Sequence, residues 1–254
     1  MADHLPSIIV TGASGFVGRH FIDAAKNDYL IYAMARRSQS EAGVPLHQNI
    51  NWIQVDITNW PALKKIMYRI KELGGVDYVL HLAAFYDFNY DDNPEYTRTN
   101  IHGTRHMLEQ AKWLCVRRFV FASSVAACRF PPHGGTVTER SPADADFHYA
   151  RSKKRGEEML HEYSRWFPCS VVRFAAVFSD WCEYPPLYKF LSTWFSHNWN
   201  AQILAGRGES SVSYIHVADL TKFLLELFRR SNGLMDYDVY IASPDGSTSH
   251  RELF

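Results

Sequence analysis

The chain has 254 residues, 46% of them hydrophobic and 15% aromatic, which suits one α/β domain or a domain and a half with a sizeable core; disorder is not expected. Its 27 basic and 27 acidic residues balance to a formal charge of zero, so no global field favours nucleic acid or an anionic membrane, and a small-molecule partner is expected. Met1 to Ser7 lacks a basic segment followed by an apolar stretch, and no run of about 18 apolar residues occurs, which reads as a cytosolic chain with no membrane insertion.

In chain order, Leu5 to Thr11 is a short apolar run that stops at a glycine loop, and Phe16 to Asn27 then carries helical spacing. The strand pattern returns at Tyr29 to Ala35, Ile50 to Val55, Tyr78 to Ala83, Arg118 to Ala122 and Ser170 to Phe174, with helical stretches between most of them. Such alternation implies a Rossmann-type, doubly wound parallel sheet. One helix is well marked, with Thr58 or Asn59 as its cap, Pro61 in its first turn and Gly74-Gly75 at its end. Another begins near Phe147 and carries Tyr149 and Lys153.

Beyond Phe174 an aromatic-rich stretch, Phe178 to Trp199, is followed by Ser210 to Val217 and an amphipathic helix, Ala218 to Arg230. We divide the chain into a nucleotide-binding domain, 1–175, and a small substrate lobe, 176–254, interleaved with the sheet. Ser247, Thr248 and Ser249 resemble a helix cap, yet only His250 to Phe254 follows, and a helix barely begun cannot bury its apolar face. The expectation is a truncated chain or a piece of a longer protein. The four cysteines, Cys115, Cys128, Cys169 and Cys182, show no C-x-x-C spacing and read as reduced thiols rather than a disulfide frame or a metal site.

Directly after the first strand, Gly12, Gly15 and Gly18, with Phe16 and Val17 between the last two, let the backbone turn sharply and approach a pyrophosphate at a helix N-terminus. The spacing is G-x-x-G-x-x-G. The end of the second strand decides between the two nicotinamide dinucleotides. Ala35 stands where an acidic residue would meet free ribose hydroxyls, and Arg36-Arg37 follows, so NADP is favoured over NAD; the alternative is a pair of solvated loop arginines. Asp56, followed by Ile57, is placed to accept a hydrogen bond from the adenine amino group.

In His81-Leu82-Ala83-Ala84 the small residues allow close approach of a cofactor, and His81 reads as a packed strand residue rather than a base. Asn100 either stabilises the active-site backbone or a relay water, or is a plain helix position. Ser124 ends an apolar strand at the edge where parallel sheets place ligands, with no G-x-S-x-G elbow around it. Tyr149 and Lys153 are four residues apart and share a helix face. A phenol titrates near ~10, so acid or base work near neutrality needs roughly 3 pK units, about 4 kcal/mol, of help from positive charge. Lys153 supplies part of it.

Together these motifs, with Gly103-Thr104, Arg173 and His216-Val217-Ala218-Asp219, resemble the extended short-chain dehydrogenase/reductase family, in its NAD(P)-dependent epimerase/dehydratase group. The resemblance implies hydride transfer between a nicotinamide and a carbinol or ketone carbon, with Tyr149 as general acid/base, Lys153 lowering its pKa and binding ribose, and Ser124 orienting the substrate oxygen. It also implies a homodimer through the helices near Asn100 to Leu114 and Tyr149 to Trp166. Sugar dehydratases of the family place an Asp-Glu pair after the hydroxyl residue, where this chain has Val125-Ala126; epimerases often carry Val-Tyr-Gly, where this chain has Ala127-Cys128-Arg129. Phe119 to Ala127 is more similar to the dihydroflavonol-reductase and 3β-hydroxysteroid-dehydrogenase branch, whose substrates are rather apolar.

Three readings follow. The first is an NADP-preferring oxidoreductase acting on an apolar or lipid-like secondary alcohol or ketone, with Phe85, Tyr86, Cys128 and Tyr188 as substrate contacts and Asp87, Phe88, Phe130, Trp181, Tyr184 and Trp194 near them. The second is a nucleotide-sugar epimerase. The third is a non-catalytic nucleotide-binding domain of a larger protein, which an intact Ser124-Tyr149-Lys153 set disfavours.

Overall fold

The computed structural model describes residues 5–87, 91–131, 135–204 and 206–254; Phe88 lies outside the described residues. Six of the apolar runs form strands: β1 (Ser7–Thr11), β2 (Leu30–Ala35), β3 (Ile50–Gln54), β4 (Tyr78–His81), β5 (Arg118–Ser124) and β6 (Cys169–Phe174). Ile8, Ile9, Val79 and Leu80 are fully buried, because helices cover both faces and neither side of these strands meets water. Three short strands follow, β7 (Ala176–Phe178), β8 (Ser211–Val212) and β9 (Tyr214–His216), then β10 (Tyr237–Ala242) and β11 (Thr248–Ser249).

The central sheet has seven strands in the order β10-β6-β5-β4-β1-β2-β3, every neighbouring pair parallel. The chain leaves β1 toward β2 on one side and returns to β4 on the other, so the carboxyl ends of β1 and β4 form the crevice where such sheets take a ligand. β7 pairs with β9 in parallel, and β11 with β8 antiparallel, outside this sheet.

Helix α1 (Phe16–Ala25) packs on one face with α6 (Val217–Arg229), their Phe21 and Phe228 rings edge-on with centroids 6.2 Å apart. Fully burying such a side chain contributes about 1.5–3 kcal/mol. Helices α2 (Trp60–Glu72), α3 (Thr104–Leu114) and α4 (His148–Tyr163) cover the other face through Leu63, Met67, Met107, Leu108, Met159 and Leu160. Asn59, not Thr58, caps α2: its Oδ1 accepts from the Ala62 amide at 3.2 Å, while Thr58 is bound to Asp56. The aromatic stretch contains α5 (Pro185–Trp194), and the last turn is α7 (His250–Leu253), which has a Ser249/Glu252 capping box and no buried residue.

The sequence pattern does not announce β10, because Asp236 and Asp238 interrupt its apolar run. Arg118 on β5 fixes it there. This arginine is 1% exposed; it donates to the carbonyl oxygens of Ser231 (3.0 Å) and Met235 (3.1 Å) and to the Ser231 and Ser170 hydroxyls, each at 3.0 Å. Residues after 176 are thus interleaved with the sheet, through β10 at its edge and α6 on its face.

Candidate active site

The glycine loop is built for close approach. Gly12 has φ +69°, a left-handed conformation, and a Cβ on it would stand 2.8 Å from the Ala83 nitrogen and 2.9 Å from the Leu82 carbonyl carbon. The segment after β4 therefore backs directly onto the loop. A Cβ on Gly18 would stand 2.4 Å from the Gly12 oxygen, so α1 seats tightly against the loop. Gly15 precedes α1 with no side chain capping the helix, which leaves its first amides free to meet an anion; Phe16 and Val17 form its first turn. These features fit a dinucleotide pyrophosphate.

At the carboxyl end of β2, Ala35 finishes the strand and Arg36 and Arg37 follow, both exposed. Arg37 reaches back to donate to the Ser14 carbonyl at 2.6 Å. Arg36 lies in the field of Glu95. The Asp56 carboxylate already has partners: the Thr58 amide and hydroxyl at 2.9 and 2.8 Å, and Arg98 at 2.9 Å. Burial opposes its ionisation, yet these hydrogen bonds hold it below the usual carboxylate range. Ile57 is buried against Gly103. Arg98, which the sequence reading passed over, grips Glu95 through two nitrogens at 2.5 and 2.9 Å and so ties Asp56 to the segment carrying Asn100.

His81 is 1% exposed, with Nδ1 bound to the Thr11 hydroxyl (2.7 Å) and Nε2 to the Thr104 hydroxyl (2.9 Å). Burial, aided by the charge of Lys153, lowers its pKa to about 3. It is a packed neutral strand residue, as its sequence context indicates. Thr11 Oγ1 also accepts from the Ala83 amide at 3.1 Å, fixing Leu82, Ala83 and Ala84 beside the glycine loop.

Asn100 lies in a π-helical segment, Tyr96–Gly103, that runs into α3. One helical turn with an extra residue is a recurrent functional-site feature, and sequence spacing does not reveal it. Asn100 Oδ1 accepts from the Phe85 amide at 2.7 Å; its Nδ2 donates to the Phe85 carbonyl at 3.0 Å and to the Ser152 hydroxyl at 2.9 Å. Ser152 in turn donates to the Tyr149 carbonyl at 2.7 Å. Of the roles open to Asn100, the structure supports holding the active-site backbone.

Ser124 ends β5; its Oγ accepts from the Ala126 amide at 3.2 Å. Burial raises the phenol above its ordinary value, Ser124 opposing and Tyr96 adding to the rise. Lys153, 3% exposed, donates to the Ala122 carbonyl at 2.7 Å, with its Nζ 5.6 Å from the Tyr149 ring centroid. Burial lowers its pKa to about 8, opposed by Glu157. The lysine is thus beside the phenol but bonded to the sheet, and in this geometry it does not lower the phenol's pKa as the sequence reading expects.

Tyr86 packs edge-on against Tyr149 with centroids 4.5 Å apart, and Phe85 against Tyr96 at 5.0 Å. Cys128 is 1% exposed and faces the Ser141 carbonyl, burial raising its thiol, so it packs inward and offers a substrate no surface. Tyr188 stands 58% exposed on α5, and Phe130 and Trp181 are also exposed. Among the described aromatic candidates, Tyr86 packs directly on the Tyr149 of the Ser124-Tyr149-Lys153 set.

Residues 8–241 match the model of the NAD dependent epimerase/dehydratase family. The chain belongs to this family. The epimerase/dehydratase family is one of enzymes. A putative UDP-glucose 4-epimerase of Methanocaldococcus jannaschii is 25% identical over 97% of this chain and 80% of its own length. A dTDP-D-glucose 4,6-dehydratase of Homo sapiens is 26% identical over 88% of this chain, which spans 65% of that protein. The solved structure of a UDP-glucuronic acid 4-epimerase from Bacillus cereus, in complex with UDP-glucuronic acid and NAD, shares the fold with a TM-score of 0.78; it covers 97% of this chain, which spans 80% of that one, at 18% identity. No described helix is long and apolar enough to cross a membrane.

Proposed function

We propose that the protein is a nucleotide-sugar epimerase that inverts a secondary carbinol by oxidation to a ketone and reduction from the opposite face. The observation that carries this reading is the convergence of Ser124 at the end of β5 with Tyr149 and Lys153 on the first turns of α4, next to a loop cut for a dinucleotide. The relatives, named for epimerisation or dehydration of UDP- and dTDP-sugars, shift the substrate away from the apolar class that the Phe119 to Ala127 resemblance suggests. Val125, Ala126 and Ala127 follow Ser124 as one apolar 3-10 turn, with no acid to expel a hydroxyl, so epimerisation is favoured over dehydration.

When bound, the nicotinamide supplies reversible hydride acceptance. The chain does the rest. Ser124 orients the carbinol oxygen, Tyr149 takes its proton and later returns it, and Lys153 holds ribose. A well-placed acid or base contributes about 10²–10⁴-fold. Arg36 and Arg37, after Ala35 at the end of β2, favour NADP over NAD. A homodimer through the outer faces of α3 and α4, with Trp113 on α3 and Trp166 in the turn after α4 left 40% and 43% exposed, belongs to the same reading.

The test is incubation with UDP-glucose, UDP-glucuronate or UDP-N-acetylglucosamine and substoichiometric NADP or NAD, followed by NMR of the anomeric proton. One sugar is expected to approach its 4-epimer with no net reduced cofactor, and Tyr149→Phe to lower turnover about 10²–10⁴-fold with cofactor affinity held within a few-fold. Net reduction of an apolar ketone, with all three sugars inert, would restore the reductase reading.

A further inference from the structure

Lys153 has a neutral carbonyl as its hydrogen-bond acceptor and two aromatic rings beside it, Phe121 with its centroid 4.9 Å from Nζ and Tyr149 at 5.6 Å. No described carboxylate forms an ion pair with it. One helical turn further along α4 stands Glu157, 7% exposed, with both carboxylate oxygens engaged. Arg173 on β6 donates to Oε1 at 3.0 Å and to Oε2 at 2.7 Å, and the Ser123 hydroxyl donates to Oε1 at 2.6 Å. Arg173 also donates to the Ser141 carbonyl at 2.7 Å, in the loop that runs from Cys128 to α4. A single buried carboxylate therefore links the residue before Ser124, the strand beside it, and the helix that presents Tyr149 and Lys153.

We propose that Glu157 is a positioning residue for Lys153: it locks α4 in register with β5 and β6, and its buried negative charge is the counter-charge of the active-site ammonium. Among the described residues, the charged and titratable groups that interact with that ammonium are Tyr149 and Glu157 on α4 and His81 on β4, with Arg173 on β6 bonded in turn to Glu157. Of these, Glu157 is the one that favours the protonated lysine, against the effect of burial. Coulomb's law at an effective dielectric of ~20 across one helical turn makes this worth about 1–2 pH units. Removing the charge while keeping the shape shifts loss of the ammonium to lower pH.

The proposal rests on the assignment of Lys153 to the cofactor. The experiment is a fluorescence titration of NADPH into the whole chain at intervals from pH 6 to 10, for wild type, Glu157→Gln, Ser123→Ala and Lys153→Met. Glu157→Gln is expected to bring the alkaline decline in affinity down by about 1–2 pH units, while Ser123→Ala, which removes one hydrogen bond but no charge, leaves it in place. An unmoved decline in Glu157→Gln, or an equal displacement in Ser123→Ala, overturns the proposal. If Glu157→Gln fails to fold, Glu157→Asp decides: charge retained on a shorter stem keeps the decline within about half a unit of wild type, and a displacement of a full unit overturns it. Lys153→Met separates the two levels of argument. A wild-type decline in that variant defeats the assignment of Lys153 itself, whereas a flat profile together with an unmoved Glu157→Gln defeats only the role of Glu157.

Discussion

The ammonium of Lys153 donates to the main-chain carbonyl of Ala122, 2.7 Å away, on the strand that ends in Ser124. The lysine beside Tyr149 is thereby anchored to the strand that carries Ser124. Its pKa, lowered to about 8 by burial, places its titration inside the working range. The group is charged below that value and neutral above it. Affinity for the dinucleotide is expected to be flat from pH 6 to 8 and to fall by roughly tenfold per unit above it, and Lys153→Met is expected to be weak and independent of pH; a wild-type profile without a break near 8 would count against the assignment.

Asn100 clamps both ends of the Phe85 peptide and reaches Ser152, so its loss leaves buried polar groups without partners. Asn100→Ala is expected to lower stability by about 1–3 kcal/mol, read by urea unfolding. Because Phe85 precedes Tyr86, which packs on Tyr149, turnover is expected to fall roughly tenfold more than cofactor binding. Equal losses in both would reduce Asn100 to a plain structural residue.

His81 carries a pH signature of its own. Its folded pKa of about 3 lies below the ordinary value of 6.5, so between these values the unfolded chain binds a proton that the native one does not. Its contribution to stability is whole above pH 6.5 and is lost as pH falls. At pH 5 the loss is about 2 kcal/mol. His81→Gln is expected to flatten the dependence of unfolding free energy on pH between 5 and 7, at the cost of a lower plateau; an unchanged slope would mean that this ring is not the group responsible.

The proposed preference for NADP puts Arg36 at the extra phosphate. Charge-assisted hydrogen bonds are worth about 1.5–3 kcal/mol, so Arg36→Ser is expected to weaken NADPH binding by about 10–100-fold and to leave NADH within a few-fold. Parallel losses for both dinucleotides would place Arg36 outside the phosphate site.

Much of this arrangement is legible in the sequence because single residue types carry it. Gly12 and Gly18 meet backbone at distances no Cβ tolerates, and Tyr149 and Lys153 share a helix face by spacing alone. Asp56-Ile57 and Ala35-Arg36 sit at strand ends that hydrophobic pattern locates. Other parts depend on tertiary contacts that no local pattern encodes. The π-helical turn that aims Asn100 is one residue out of helical phase, and β10 is held by Arg118 from a distant strand. The Glu157-Arg173-Ser123 cluster joins three elements, and Arg98 joins Asp56 to Glu95. Cys128 shows the opposite error: adjacent to the site in sequence, it turns inward to the Ser141 carbonyl. The choice between an apolar ketone and a sugar rests on side chains beyond the shared motifs, and there the relatives, not the Phe119 to Ala127 resemblance, carry the weight.

The most direct test of the account follows the hydrogen itself. UDP-glucose or UDP-glucuronate deuterated at C4 is turned over with substoichiometric NADP or NAD, and the inverted product is examined by NMR and mass spectrometry. Hydride removed and returned within one binding event predicts a 4-epimer that keeps its deuterium at C4, with none in solvent and no reduced cofactor accumulating. Deuterium lost to solvent, or a 4-keto sugar formed with stoichiometric reduced cofactor, would contradict it.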